Sequence, residues 1–217
     1  INNCFYPRYC LETIPLLGKE NILVAFPMVC FCDIPFKLQK NHILKYGRYG
    51  IGLSMEWGKS KNLSPLIYSN SESTSIKILT MLLETTKEID RNEFVEQRLK
   101  DGLITYISYL SAFFKAYENN EHIKFYDERE WRYIPILKSN QKGFYMSKEE
   151  YEDINKRENN NQIISRISEL VLRFGIDDID YIILAEKEDY DHFFYELFNN
   201  KEKRNDDEVN KLLVKKK

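Results

Sequence analysis

Residues 21–36 read NILVAFPMVCFCDIPF, an apolar run with two prolines in it. A helix interior does not accept Pro27, which brings no N–H and whose ring clashes with the preceding turn. The β-branched and aromatic residues on either side suit strands instead, split at Pro27 and closed at Pro35. A chain that buries such a run needs a sheet and something to cover it.

The rest of the pattern supplies the cover. Residues 37–47 set Leu38, Ile43 and Leu44 among Lys, Gln and Asn, which predicts a short amphipathic helix ending at Gly47. YGIGLSMEW (49–57) then reads as a strand on which Gly50 and Gly52, two apart, leave one face open to close backbone approach. From about 72 to 118 the period changes. Ile76, Leu79, Leu82 and Leu83 recur at helical spacing, and LITYISYLSAFFKAY (103–117) is apolar on more than one face, the mark of a helix buried between neighbours. SNSEST (69–74), just before, has the composition of a helix cap. EWRYIPIL (130–137) returns to strand, and 147–162 is a polar helix and loop. NQIISRISELVLRFG (161–175) predicts an amphipathic helix capped by Gly175, followed by a strand in DIDYIILAE and a last helix in DYDHFFYELF. The charged tail, 199–217, is expected to fray. Strands at both ends around a central helical pair predict one α+β domain over 1–198, with a helical insertion at about 72–118.

Composition excludes several classes. With 32 basic against 34 acidic residues among 217, the formal charge of −2 sets up no global field that draws in nucleic acid or an anionic membrane. Cys4, Cys10, Cys30 and Cys32 have no C-x-x-C spacing, and a chain this long needs no disulfide staples. They read as reduced thiols; Cys30 and Cys32 share a strand face but are expected to hold no metal, since free Cys is commonly a small core residue. No apolar run approaches the roughly 18 residues of a membrane span and no signal peptide is visible, which predicts a cytoplasmic protein. The first residue is Ile1 rather than Met, so a natural N-terminus is expected upstream. No G-x-G-x-x-G or G-x-x-x-x-G-K occurs, and His42, His122 and His192 are scattered without H-E-x-x-H or G-x-S-x-G.

The chemistry-bearing residues that remain are carboxylates. FYDEREWRYIPIL (125–137) crowds Asp127, Glu128, Arg129, Glu130 and Arg132 at the mouth of a strand. If the strand begins early, Glu128, Glu130 and Arg132 project to one side, with Arg129 and Trp131 on the other. Two acids beside a cation suit a reaction that develops positive charge on a sugar, where a fixed carboxylate stabilises an oxocarbenium-like transition state. The same spacing equally describes an ion-paired strand edge.

Three blocks in order, FPMVCFCDIPF (26–36), H-x3-YGRYGIGLSMEWG (42–58) and FYDEREWRYIPI (125–136), resemble the AbiGi family of abortive-infection antitoxins, phage-resistance proteins of bacteria. That family is in turn similar, distantly, to the ADP-ribosyltransferase-like fold, including DarT-type enzymes that modify DNA. The resemblance implies a mixed sheet of that type with an inserted helical pair. It implies NAD as co-substrate, Glu130 as the catalytic glutamate that opens a late strand, and Glu128 as the first acid of an E-x-E pair. The first strand of such folds, which carries a His, Tyr or Arg to the nicotinamide nucleotide, would lie before or at Ile1. Tyr6 and Arg8 would line the pocket, and His42, Tyr46 and Tyr49 are the polar aromatics placed to face a nucleotide. Two functions follow from this. One is ADP-ribosyl transfer to a protein or nucleic-acid acceptor; the other is a non-catalytic antitoxin that binds a cognate, nucleotidyltransferase-like toxin.

Overall fold

The computed structural model describes residues 3–119, 121, 123–136 and 145–199. His122 and residues 200–217 of the expected tail lie outside them. In chain order the strands are β1 (Cys4–Phe5), β2 (Arg8–Ile14), β3 (Ile22–Cys32), β4 (Gly50–Leu53), β5 (Ser64–Pro65), β6 (Ile67–Ser69), β7 (Phe114–Ala116), β8 (Glu130–Tyr133), β9 (Met146–Ser147), β10 (Leu172–Arg173) and β11 (Ile179–Ile183). The helices are α1 (Lys40–Tyr46), α2 (Met55–Ser60), α3 (Thr74–Arg91), α4 (Gln97–Ser111), α5 (Lys148–Glu152), α6 (Ile154–Ser165) and α7 (Lys187–Asn199). The fold is α+β. The described residues gather into two compact units, a larger one of 5–34 and 63–171 and a smaller one of 3–4, 35–62 and 172–199.

The larger unit is built on an antiparallel sheet in the order β2-β3-β8-β5, with β9 also on β3. β3 is not split at Pro27; it runs unbroken from Ile22 to Cys32. On one edge of β3 the neighbours are β9 opposite Val24 and Ala25 and β8 opposite Val29 to Cys32. Pro27 falls in the interval between them, where a strand tolerates a missing donor. Alternation sorts the side chains. Ile14, Phe26 and Met28 point to one face and bury themselves with Ile76 and Leu79 of α3, Ala112, Phe114 and Ile134. Tyr9 and Ala25 point to the other, against Met146, Ile164 and Leu170. Each fully buried side chain of this size contributes about 1.5–3 kcal/mol.

The helical pair forms as two helices, 74–91 and 97–111, and Ser73 caps the first by accepting from Ile76 N. The expected span overshoots at its end, because 114–116 is β7, paired in parallel with β6. The main sheet, by contrast, is antiparallel rather than mixed. α4 is not buried all round: Leu99, Tyr106 and Leu110 are exposed. The expected helix over 161–175 ends at Ser165, since Asp153 caps α6 well upstream and the twelve residues that follow exhaust it. Leu172–Arg173 pairs with β1 instead, and Gly175 opens a tight turn in which its N–H donates to Asp178 Oδ2 at 2.7 Å.

In the smaller unit β4 and β11 pair antiparallel, with Tyr181 opposite Gly52 and Ile183 opposite Gly50. A Cβ at Gly52 would overlap the Tyr181 ring, so the bare strand face is occupied by the chain's own aromatic. α1 ends at Gly47, which holds a positive φ of 109°. The strand expected over 49–57 stops at Leu53, because Ser54 accepts from Trp57 N and starts α2. Among the described residues no helix is long and apolar enough to cross a membrane.

Candidate functional site

The charge run folds as a turn that delivers a strand. Phe125–Glu128 makes one 3-10 turn, and Arg129 follows in the left-handed region at φ 41°. Arg129 N donates to Tyr126 O at 3.0 Å, while Arg129 O accepts from Asp33 N at 3.1 Å. β8 therefore starts at Glu130. Glu130 and Arg132 share a face as alternation requires, but Glu128 remains in the turn rather than on the strand.

Five charges of alternating sign meet on that face. Arg132, with no exposed surface, sends Nε to Glu130 Oε1 at 2.6 Å and Nη1 to Ala112 O at 2.6 Å, and its Nη2 lies 2.8 Å from Glu12 Oε2 on β2. Glu130, 7% exposed, accepts from Lys115 Nζ of β7 at 2.7 Å through its other oxygen. Lys115 in turn lies 3.6 Å from Glu128 Oε2 and 5.5 Å from the centre of the Phe125 ring. The backbone N–H of Glu130 donates to the Tyr68 hydroxyl at 2.8 Å. Burial alone would raise the Glu130 pKa, but the bond to Arg132 and the charges of Arg132 and Lys115 outweigh it and bring the carboxyl down to about 2. For Lys115, burial favours the neutral amine, and Glu130 overrides it to hold the ammonium above its ordinary value. At neutral pH Glu130 is thus a carboxylate with no proton to give and little tendency to take one, remote from the pKa near working pH that general acid–base catalysis favours.

The other expected site residues are dispersed. Arg8, at the start of β2, forms a two-pronged pair with Glu158 at 2.7 and 3.0 Å, and Tyr6 stands exposed just before it. Both belong to the larger unit, as Glu128 and Glu130 do. His42, Tyr46 and Tyr49 belong to the smaller unit. His42 and Tyr46 pack ring to ring at 4.5 Å on α1, and the Tyr49 hydroxyl donates to Asp189 Oδ2 at 3.0 Å. Cys30 and Cys32 are not joined in a disulfide, and their strand partners are Arg132 and Glu130; among the described residues no group of three or more His, Cys, Asp or Glu is placed to hold a metal ion.

A family model described as "Putative abortive phage resistance protein AbiGi, antitoxin" matches residues 3–185. The chain belongs to the AbiGi family. It is also 30% identical over 206 residues to the abortive phage resistance protein AbiGi of Lactococcus lactis subsp. cremoris, covering 83% of this chain and 82% of that one. No solved structure matches the chain.

Every residue of the charge line, from Glu12 to Arg132, falls inside the AbiGi match. Three members of the cluster were not singled out from sequence: Glu12, Lys115 and Tyr68. Two of them carried a signal. Glu12 is the sole acid in YCLETI and Lys115 the sole charge in SAFFKAY. A charge isolated in an apolar run is either exposed or needs a buried partner of opposite sign.

Proposed function

We propose that this chain is the neutralising antitoxin of an anti-phage abortive-infection pair, acting by binding a toxin protein rather than by transferring ADP-ribose from NAD. The observation that carries the reading is the state of Glu130. An ADP-ribosyl transferase needs its glutamate oriented toward a ribose and its developing cation. Here both carboxylate oxygens are held by internal cations, Arg132 and Lys115, with the side chain almost wholly buried. The family description, which includes the word antitoxin, supports the same reading. In it the charge line is part of the scaffold. Glu128 and Glu130 fix β7 against β8, and Tyr6, Arg8, His42, Tyr46 and Tyr49 serve packing and pairing in their own units.

The test expresses the chain with the product of the adjacent reading frame in a bacterial host and, separately, incubates the purified chain with NAD and with protein, DNA and RNA acceptors. Rescue of growth together with no NAD consumption is expected. NAD consumption by the wild-type chain that disappears in Glu130→Gln, under conditions where the variant is folded, would overturn the proposal in favour of an ADP-ribosyltransferase-like enzyme with Glu130 and Glu128 in its site.

A further inference from the structure

From Ile34 to Met55 the chain carries Lys37, Lys40, Lys45 and Arg48 and not one carboxylate, although Asp and Glu make up 34 of its 217 residues. A chain with no global field thus has a local one. Arg48 is committed internally, Nη1 to Glu186 and Nη2 to Ala185 O at 3.0 Å. The three lysines are exposed, and among the described residues neither Lys37 nor Lys40 has a carboxylate partner.

These lysines share their surface with bare hydrocarbon. Gln39 is buried and His42 and Ile43 half-buried, which fixes the inner face of α1. The outer face carries Lys40 and Leu44, four apart, with Asn41 and Lys45, also four apart, beside them. The 3-10 turn that leads into the helix sets Lys37 between Phe36 and Leu38. Leu44 is 78% exposed and Phe36 and Leu38 63% each, so most of each side chain stands in water next to an ammonium group.

We propose that this face of the smaller unit rests on an anionic lipid surface, as a peripheral contact that does not span the bilayer. The inference is independent of the antitoxin reading. Phe36, Leu38 and Leu44 enter the boundary between headgroups and acyl chains, and the lysine stems run along it and place their ammonium groups at the lipid phosphates. The residue types choose this occupant. Single-stranded nucleic acid stacks its bases on aromatic rings and would leave Leu38 and Leu44 in water. Protein interfaces are enriched in Arg and depleted in Lys, and the planar fork of Arg is also the preferred reader of nucleic-acid phosphates; the cations of this face are Lys, and the sole Arg of the stretch is turned to Glu186. A second copy would set like charge on like.

The test sediments the full chain with vesicles of phosphatidylcholine alone and of phosphatidylcholine with phosphatidylglycerol at roughly two to one. Binding to the anionic vesicles and not to the neutral ones is expected. Lys40→Glu should partition about tenfold more weakly, and Leu44→Ser at least about fivefold more weakly. Ile163→Asp, which alters an exposed apolar residue of the larger unit, should partition as the wild type does. Leu44→Trp reports insertion directly: its emission should move to shorter wavelength on adding anionic vesicles and stay in place with neutral ones. Absence of wild-type binding to the anionic vesicles overturns the proposal. Binding that Lys40→Glu weakens while Leu44→Ser leaves it unchanged, with no shift in the Leu44→Trp emission, overturns it as well; tight binding of labelled single-stranded DNA by both wild type and Leu44→Ser would then assign the face to nucleic acid. Calorimetric binding of the product of the adjacent reading frame that Lys40→Glu removes, in a chain that ignores vesicles, would assign the face to that protein and overturn the proposal while leaving the antitoxin reading standing.

Discussion

Arg132 Nε stands 2.6 Å from Glu130 Oε1, between two residues separated by one position on the same strand face, and the guanidinium has no exposed surface at all. A pair this close and this dry is held by what surrounds it: Glu12 on one side, Lys115 on the other, and Ala112 O behind. Removing Glu130 or Glu12 leaves the fully buried Arg132 guanidinium short of a complement, which is far costlier than never having built the pair.

The pH dependence of stability follows from Glu130. Its pKa is about 2 in the folded chain against an ordinary 4.5. A carboxyl lowered on folding contributes its full stabilisation above the unfolded value and loses it as pH falls through the folded one. The difference corresponds to roughly 3 kcal/mol. Melting temperature is therefore expected to fall between about pH 4.5 and pH 2 on account of this group. Glu130→Gln should melt lower than wild type at pH 7 and lose less below pH 4.5. Calorimetric curves for the two that run parallel across the whole range would contradict the assignment.

Arg132→Met keeps volume but strands Glu12 and Glu130 in the interior. A loss of about 3–5 kcal/mol is expected in urea denaturation. In the double variant Glu12→Gln/Arg132→Met the losses should fall well short of additivity, by 1 kcal/mol or more. Strict additivity would show that Glu12 and Arg132 do not interact.

Arg129 tests the turn. Its φ of 41° is one that an L side chain adopts at a cost of about 1–2 kcal/mol. Arg129→Gly relieves that strain while loosening the unfolded chain, and its net effect should stay within about 0.5 kcal/mol. Arg129→Val, β-branched, should lose about 1–2 kcal/mol more than the glycine variant. Indistinguishable denaturation midpoints for the two would argue against a left-handed residue at the head of β8.

Gly52 is the corresponding test in the smaller unit. Gly52→Ala forces the Tyr181 ring aside and away from Phe36, whose ring centre lies 4.7 Å from it. Because a ring can swing, the expected cost is moderate, about 1 kcal/mol. In a Tyr181→Ala background the same substitution should cost only a small fraction of that. An undiminished cost there would place the clash elsewhere.

The elements most legible in the sequence are those whose periodicity has one physical solution. The run 21–36 could only be strand, and Ile76 and Leu79 at helical spacing could only face a core. Pro27 misled because the sequence does not show which edge of a strand goes unpaired. The segment 161–175 misled because its apolar positions fit a helix that Asp153 had already begun upstream. Of the charge line, Glu130 and Arg132 were legible as neighbours. Glu12 and Lys115 were not, since the sheet brings Glu12 to Arg132 from 120 residues away and the crossover to β7 brings Lys115 to Glu130 from 15, and separation in sequence carries no sign of contact in space.

β6 and β7 lie side by side in parallel, Ile67 beside Phe114 and Ser69 beside Ala116, so the chain departs the fold and re-enters it through adjacent doors. Whatever is threaded between those doors can be swapped without re-registering the sheet, provided the inner face of α3 is kept. The returning strand would still carry Lys115 to Glu130 whichever hairpin preceded it. The outer surface of the hairpin is therefore free to change without disturbing the charged scaffold: one frame, with an exchangeable cartridge.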